Sequence, residues 1–259
     1  NKYLFNGMIE NQNSVLTEKF LNLINLKFKL FQFKNSEFDS KNNFSFEIDN
    51  TFKFKNIILK SDININRIEY KSDNFINNYF PDIEKIILIK DHKINLNYNN
   101  NKLALKGEGK IKIEKKFDKI TYFISKDKDD LNFKSNLFVS NINLKGQEFL
   151  KSFFPLINNK VKLKNHQLNI IYKNKSLSLM GEGKIKIDNS FDDINFNISK
   201  KEKEFKFDVD LNLNKTNFKI NNLNFKKNDK FITKLKLKGI ISKSKNLKLD
   251  YINILENNN

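Results

Sequence analysis

The chain has no cysteine, which removes disulfides, thiolate nucleophiles and cysteine metal sites together. It has no tryptophan, and only two prolines, Pro81 and Pro155, in 259 residues. Arginine occurs once, as Arg67, so 47 of the 48 basic residues are lysine. That scarcity decides how the net charge of +18 is read. Nucleic-acid readers depend on arginine for bidentate contacts to phosphates and base edges. The charge therefore reads as a solvated lysine face, and nucleic acid is not an expected partner; an anionic partner would be phospholipid headgroups. Lysine, asparagine, isoleucine and phenylalanine are also the residues of AT-rich codons, and asparagine alone occurs 45 times. No run of about 18 apolar residues exists, so nothing reads as a membrane-spanning helix. With Asn1 at its start and no signal peptide in view, the chain reads as a fragment of a longer protein.

What is present is a repeat. Leu103 to Lys126 (LALKGEGKIKIEKKFDKITYFISK) returns at Leu177 to Lys200 (LSLMGEGKIKIDNSFDDINFNISK), 74 positions on and without a gap. Between His92 and Lys126, 19 of 35 positions equal their partner in the second copy. A degenerate earlier copy is visible in Ser61 to Ile83, which matches Ser135 to Ile157 at Ile68, Phe75, Phe80 and Pro81, among others. Such periodicity marks a repeat architecture and is read before any motif. It divides one continuous domain into residues 1–83, 84–157 and 158–231, with 232–259 opening a further strand region.

Almost everything between the repeat boundaries alternates apolar with polar. Ile94 and Leu96, Leu103 and Leu105, Ile111 and Ile113, then Ile120, Tyr122 and Ile124 lie two apart. The second copy continues with Leu177, Leu179, Ile185, Ile187, Ile194, Phe196, Ile198, Phe205, Phe207, Val209 and Leu211. Successive strand residues point to opposite faces, so these side chains line one apolar wall. Earlier strands are expected at 27–34, 44–48, 52–59 and 63–70, and later ones around Phe218 to Phe225, 232–241 and 247–254. Helical spacing is read at Ser14 to Ile24, at Ser72 to Phe80 before Pro81, and at Gly146 to Phe154 before Pro155. Each copy is thus expected to hold five or six strands of about 8 residues and one short helix.

No residue set calls for catalysis, a metal or a cofactor. His92 and His166 are repeat equivalents, one per copy, and read as residues of a sheet rim. Gly107-Glu108-Gly109 and its copy lack phosphate-loop spacing and read as a bulge or bend between strands, with Glu108 and Glu182 facing solvent. Asp118 and Asp192 read as turn residues, each beside an inward-pointing Phe, and Asp192-Asp193 as loop carboxylates.

A one-sided antiparallel sheet must close, pack against a second layer, or curl into a groove that something else fills. The reading adopted is a mainly β fold: an elongated, curled antiparallel sheet with an open groove, built from the 74-residue repeats. The pattern Leu103, Leu105, Gly107, Gly109, Ile111, Ile113, Phe117-Asp118, Ile120, Tyr122, followed by a charged turn and a long strand, resembles the AsmA-like proteins of Gram-negative bacteria, above all their YhdP-type members with repeated β-rich units. The resemblance covers Ile94 to Ile254 and implies a periplasmic bridge, anchored to the inner membrane through a segment outside this chain. Its apolar groove would carry phospholipid acyl chains between inner and outer membranes, with no enzymatic step. The alternative is a structural or adhesin-like β-repeat protein with a packed core and no lipid. An outer-membrane barrel exposes its apolar face to lipid and needs aromatic girdles, and the two expected mid-unit helices and the abundant surface lysine argue against it.

Overall fold

The computed structural model describes residues 2–15, 33–71, 80–128, 130–146, 148–157, 160–202, 204–228, 230–242 and 247–258. The period-2 patterning becomes strands throughout. They are β1 (Lys2–Val15), β2 (Phe33–Asp49), β3 (Phe54–Lys71), β4 (Ile86–Asn99), β5 (Lys102–Lys112), β6 (Phe117–Asp127) and β7 (Asp130–Lys145). There follow β8 (Lys160–Lys173), β9 (Ser176–Lys186), β10 (Phe191–Lys201) and β11 (Glu204–Leu213). The chain closes with β12 (Lys219–Ile220), β13 (Phe225–Lys226), β14 (Phe231–Ile241) and β15 (Leu247–Asn258). All but β12 and β13 form one antiparallel sheet that does not close into a barrel, in the order β1 to β11, then β14 and β15. The chain divides into two compact units, Asn1–Asp73 with Glu84–Ser135, and Asn74–Ile83 with Asn136–Asn259.

The strands are fewer and longer than their sequence suggests. β8, β9 and β10 begin and end 74 residues after β4, β5 and β6. The copy at 84–157 holds four strands, not five or six, because Leu131 to Leu144 lies within a single strand of 16 residues, β7, and the copy at 158–231 holds four strands of the main sheet and the short pair β12 and β13. The apolar positions of β7 change parity after Val139, which in sequence imitates a strand break. The separate strands expected at 52–59 and 63–70 are likewise one strand of 18 residues, β3, paired along its length with β2 and β4. At about 3.3 Å per residue it runs roughly 60 Å.

The helical expectations fare differently. Ser14 and Val15 end β1, and the rest of Ser14 to Ile24 lies outside the described residues, as does most of the strand expected at 27–34 and all of Ser72 to Phe80 except Phe80. Gly146 to Phe154 holds a 3₁₀ turn at Glu148–Ser152 rather than an α-helix. The segment from Phe218 to Phe225 is no ladder strand. It is an excursion in which β12 and β13 pair with each other around a 3₁₀ turn at Asn221–Leu223.

In the second unit this excursion and the 3₁₀ turn cover one end of the sheet. Phe154 and Phe218 meet with ring centroids 5.3 Å apart, and the Lys219 N–H donates to the Phe153 carbonyl at 2.9 Å. Val139, Leu213 and Leu235 are almost fully buried there.

Candidate functional site: a one-sided apolar sheet face

Residues directly opposite each other in a ladder share a face, so the registers show which side chains belong together. In the first unit Ile94 opposes Gly107, Leu96 opposes Leu105, and Tyr98 opposes Leu103. Across the next ladder Leu105 faces Ile124, Gly107 faces Tyr122, Gly109 faces Ile120 and Ile111 faces Asp118. Every lining residue expected between Ile94 and Ile124 therefore falls on one face, with buried Ile113 following the end of β5. In the second unit Leu179 faces Ile198, Gly181 faces Phe196, and Ile185 faces Asp192. Ile194, Phe196 and Ile198 oppose Leu211, Val209 and Phe207, and Lys200 lies between Leu177 and Phe205. Ile187 follows β9 and is buried. Within each unit the expected wall is one continuous strip.

The strip is longer than the sequence reading gave. In the first unit it continues through Leu59, Ile63 and Ile65 of β3 to Phe44 and Phe46 of β2, and on to Tyr3, Phe5 and Ile9 of β1. Tyr3, Phe5, Gly7 and Ile9 carried that signal, but the apolar Leu4 and Met8 between them obscured the alternation. In the second unit the strip runs on to Leu235, Leu237, Ile252 and Ile254.

The opposite face is mainly polar, with Leu4, Met8, Phe117, Phe123 and Met180 exposed among its lysine, aspartate and asparagine side chains. Cross-strand ion pairs join Lys110 to Asp91 at 2.9 Å, Lys184 to Asp193 at 2.7 Å and Lys238 to Asp208 at 2.8 Å. A cavity of about 540 Å³ lies on this face of the second unit, lined by Gln167, Glu182, Lys184, Asp193, Asn195 and Asp210, among others. Its lining offers no aromatic platform, and Asp193 and Asp210 are already engaged by Lys184 and Lys236. Among the described residues no group of three or more His, Cys, Asp or Glu is arranged for a metal.

The apolar strip is not uniformly buried. Leu96, Leu105, Tyr122, Ile124, Phe196, Ile198 and Val209 are half-buried, and Leu177 and Phe205 are exposed. Burial deepens towards Ile113, Ile185, Ile187 and Leu211. Most of the strip thus keeps contact with solvent.

Its polar interruptions overturn several local expectations. His92 and His166 are buried, not at a rim. Lys90 pairs with Lys110 and Lys93 with Glu108, so Asp91 and His92 together oppose the single residue Gly109. This is a β-bulge, with Asp91 left-handed at φ 54°. The same device places Asn165, at φ 53°, and His166 against Gly183. The bulge lies on β4 and β8, and the Gly-Glu-Gly segments run straight through β5 and β9. Their glycines make room for rings: a Cβ on Gly109 would lie 2.1 Å from His92 Cδ2, and one on Gly107 would lie 2.3 Å from Tyr122 Cζ.

Each histidine holds a backbone carbonyl through Nε2, His92 to Lys110 at 3.2 Å and His166 to Lys184 at 3.0 Å. A carbonyl only accepts, so Nε2 carries the proton and Nδ1 is left as an acceptor. At His92 the Tyr122 hydroxyl donates to Nδ1 at 3.2 Å. The second copy has Phe196 instead, and His166 Nδ1 is buried without a partner. Burial pushes both histidines below the usual imidazole range and pushes the Tyr122 phenol up to about 12.

Asp118 and Asp192 are buried strand residues on the apolar face, not turn residues, and the Phe beside each points away from that face. Phe117 is exposed, with Lys90 Nζ 4.3 Å above its ring. Asp192 accepts hydrogen bonds from the Thr216 hydroxyl and from the Asn214 N–H at 2.7 Å. Burial raises its carboxyl above the ordinary range, against the lowering by those bonds. The Thr216 hydroxyl oxygen also lies 3.3 Å from Asp188, and the Asn217 N–H donates to Asp188 at 3.1 Å, which ties the excursion to the β9–β10 turn. Glu108 and Glu182 are exposed, as expected.

No protein-family model, curated protein or solved structure matches this chain. The functional reading therefore rests on the face itself and on the residue pattern.

Proposed function

We propose that the apolar face is the lipid-bearing wall of a bridge-like lipid-transfer protein. This chain would be one segment of that protein, an AsmA-like bridge carrying phospholipid acyl chains through the periplasm between inner and outer membranes. One observation carries the reading: the registers gather most of the apolar side chains of each unit on one face, and most of these stay half-exposed in a sheet that does not close. Water does not tolerate such a face well, whereas an acyl chain laid along it gains about 0.8 kcal/mol per CH₂ removed from water. The polar face keeps the sheet soluble while its other side holds lipid. Photo-crosslinking residues at Leu105 and Phe196, on the apolar face, should capture phospholipid during expression. The same residues at Thr121 and Asn195, on the polar face, should not. Mass spectrometry of the purified chain reads the outcome, and equal labelling from both faces, or none from either, sinks the reading.

A second reading, a structural β-repeat with a packed core, draws on the covered end of the second unit, where Val139, Phe154, Leu213, Phe218 and Leu235 are buried. Under it neither face would be labelled.

A further inference from the structure

The turn joining β2 to β3 is unlike the other hairpin turns. Left-handed residues there are polar elsewhere: Asn100 and Asn101 between β4 and β5, Asn174 and Lys175 between β8 and β9, and Glu202 between β10 and β11. Between β2 and β3 the left-handed residue is Phe52, at φ 58°. It is the only apolar residue with positive φ among the described residues. A bulky side chain is disfavoured in that conformation, whereas asparagine adopts it readily. The ring recovers nothing by packing, since Phe52 is 86% exposed.

Asp49 fixes the turn. Its Oδ1 accepts the Thr51 N–H at 2.9 Å, the Thr51 hydroxyl at 2.6 Å and the Lys53 N–H at 3.1 Å. The Phe52 N–H donates to the Asp49 carbonyl at 2.9 Å. Behind the tip stands a stack of rings on the apolar face: Phe5 lies 5.2 Å from Phe46, and Phe54 meets Phe46 edge-on at 5.2 Å. Tyr3, Phe5 and Phe54 are themselves 60%, 45% and 60% exposed. Around them Glu47 and Asp49 are neutralised by Lys2 and Lys55 at 3.4 and 2.8 Å, and Lys53 adds a cation with no ion pair among the described residues.

We propose that this hairpin tip is a membrane-docking site that inserts Phe52 into the interfacial layer of an anionic bilayer, with Lys53 and its neighbouring lysines against lipid phosphates. A rigidly held, solvent-facing ring beside a net positive charge suits the headgroup boundary. There an aromatic ring finds an apolar phase and an ammonium group finds phosphate. Docking does not require lipid in the sheet face, so it stands or falls apart from the transfer reading.

The chain lacks tryptophan, so Phe52→Trp places a single reporter at the tip. With vesicles of phosphatidylcholine containing phosphatidylglycerol, its emission should shift to the blue and be quenched by brominated acyl chains. Pure phosphatidylcholine should give a weaker shift. Unchanged emission with both overturns the proposal. Phe52→Asn suits the left-handed turn, so this variant should fold at least as stably by circular dichroism and thermal melting. It should bind the anionic vesicles about tenfold or more weakly in co-sedimentation. Undiminished binding by this folded variant overturns the proposal. A concentration-dependent dimer of the original chain that Phe52→Asn abolishes, without any vesicle binding, also overturns it and makes the tip a self-association surface.

Discussion

His166 and His92 occupy the same bulge in two copies of one repeat, yet only His92 has both ring nitrogens satisfied. The difference is one oxygen, the Tyr122 hydroxyl that Phe196 lacks. The ring pairs otherwise match, with centroids 5.8 Å apart at His92 and 6.0 Å at His166. Phe196→Tyr should therefore bring the first copy's hydrogen bond to the second and stabilise the fold by about 1 kcal/mol, read as a raised urea midpoint. Tyr122→Phe should cost a similar amount. Both histidines also make stability depend on pH. Their folded pKa values lie below the unfolded value near 6.5, so as pH falls through that value the unfolded chain takes up protons first. The contribution is complete above about pH 6.5 and is lost below it. Urea midpoints should fall between about pH 7 and about pH 5, and the double variant His92→Gln, His166→Gln should flatten that slope. Sequence alone shows two histidines at equal spacing, but not their burial. That depends on a bulge whose extra residue is counted only against the neighbouring strand.

At the scale of the element, the bulge and the glycine facing it form one device. A Cβ on Gly183 would lie 2.7 Å from His166 Cδ2 and 2.9 Å from the Asn165 carbonyl oxygen. Gly183→Ala should destabilise the chain by about 1–3 kcal/mol through overpacking. Asn165→Gly should be tolerated, while Asn165→Val should cost about 1–2 kcal/mol for the left-handed backbone. Differential scanning calorimetry separates the three. The excursion after β11 offers another test. Thr216→Val leaves buried Asp192 short of a donor and should cost about 1–3 kcal/mol. Strand existence was legible because alternation is written locally, and so was the grouping of Ile120, Tyr122 and Ile124 on one side. Strand ends were less so. The parity change in β7 looks like a turn, and the helical spacing before Pro155 supports only a 3₁₀ turn. Asp192 looked like a turn residue because its partner Thr216 comes 24 residues later, from a segment whose own pattern resembles a strand.

For the whole molecule the governing fact is the strand order. From β1 to β11 each strand is hydrogen-bonded to the one before it and the one after it in sequence, and the single departure is the short excursion between β11 and β14. The apolar strip of each unit is thus assembled from neighbouring strands, and this explains why local alternation in the sequence groups these side chains on one face. What the sequence reading did not supply was the extension into β1, where Leu4 and Met8 break the alternation, or the occupant of the face. The order also has a kinetic meaning. A sheet in which nearly every partner is the next strand along in the main ladder is built from sequence-local pairings, and hairpins form in roughly 1–10 μs. Such a chain need not wait for its C-terminus. Each new strand finds its template already laid down, so the sheet can grow in the direction of synthesis. Truncation after Leu213 should leave amide exchange protection in β1 to β6 unchanged, and collapse of that protection would show that the sheet folds all at once instead.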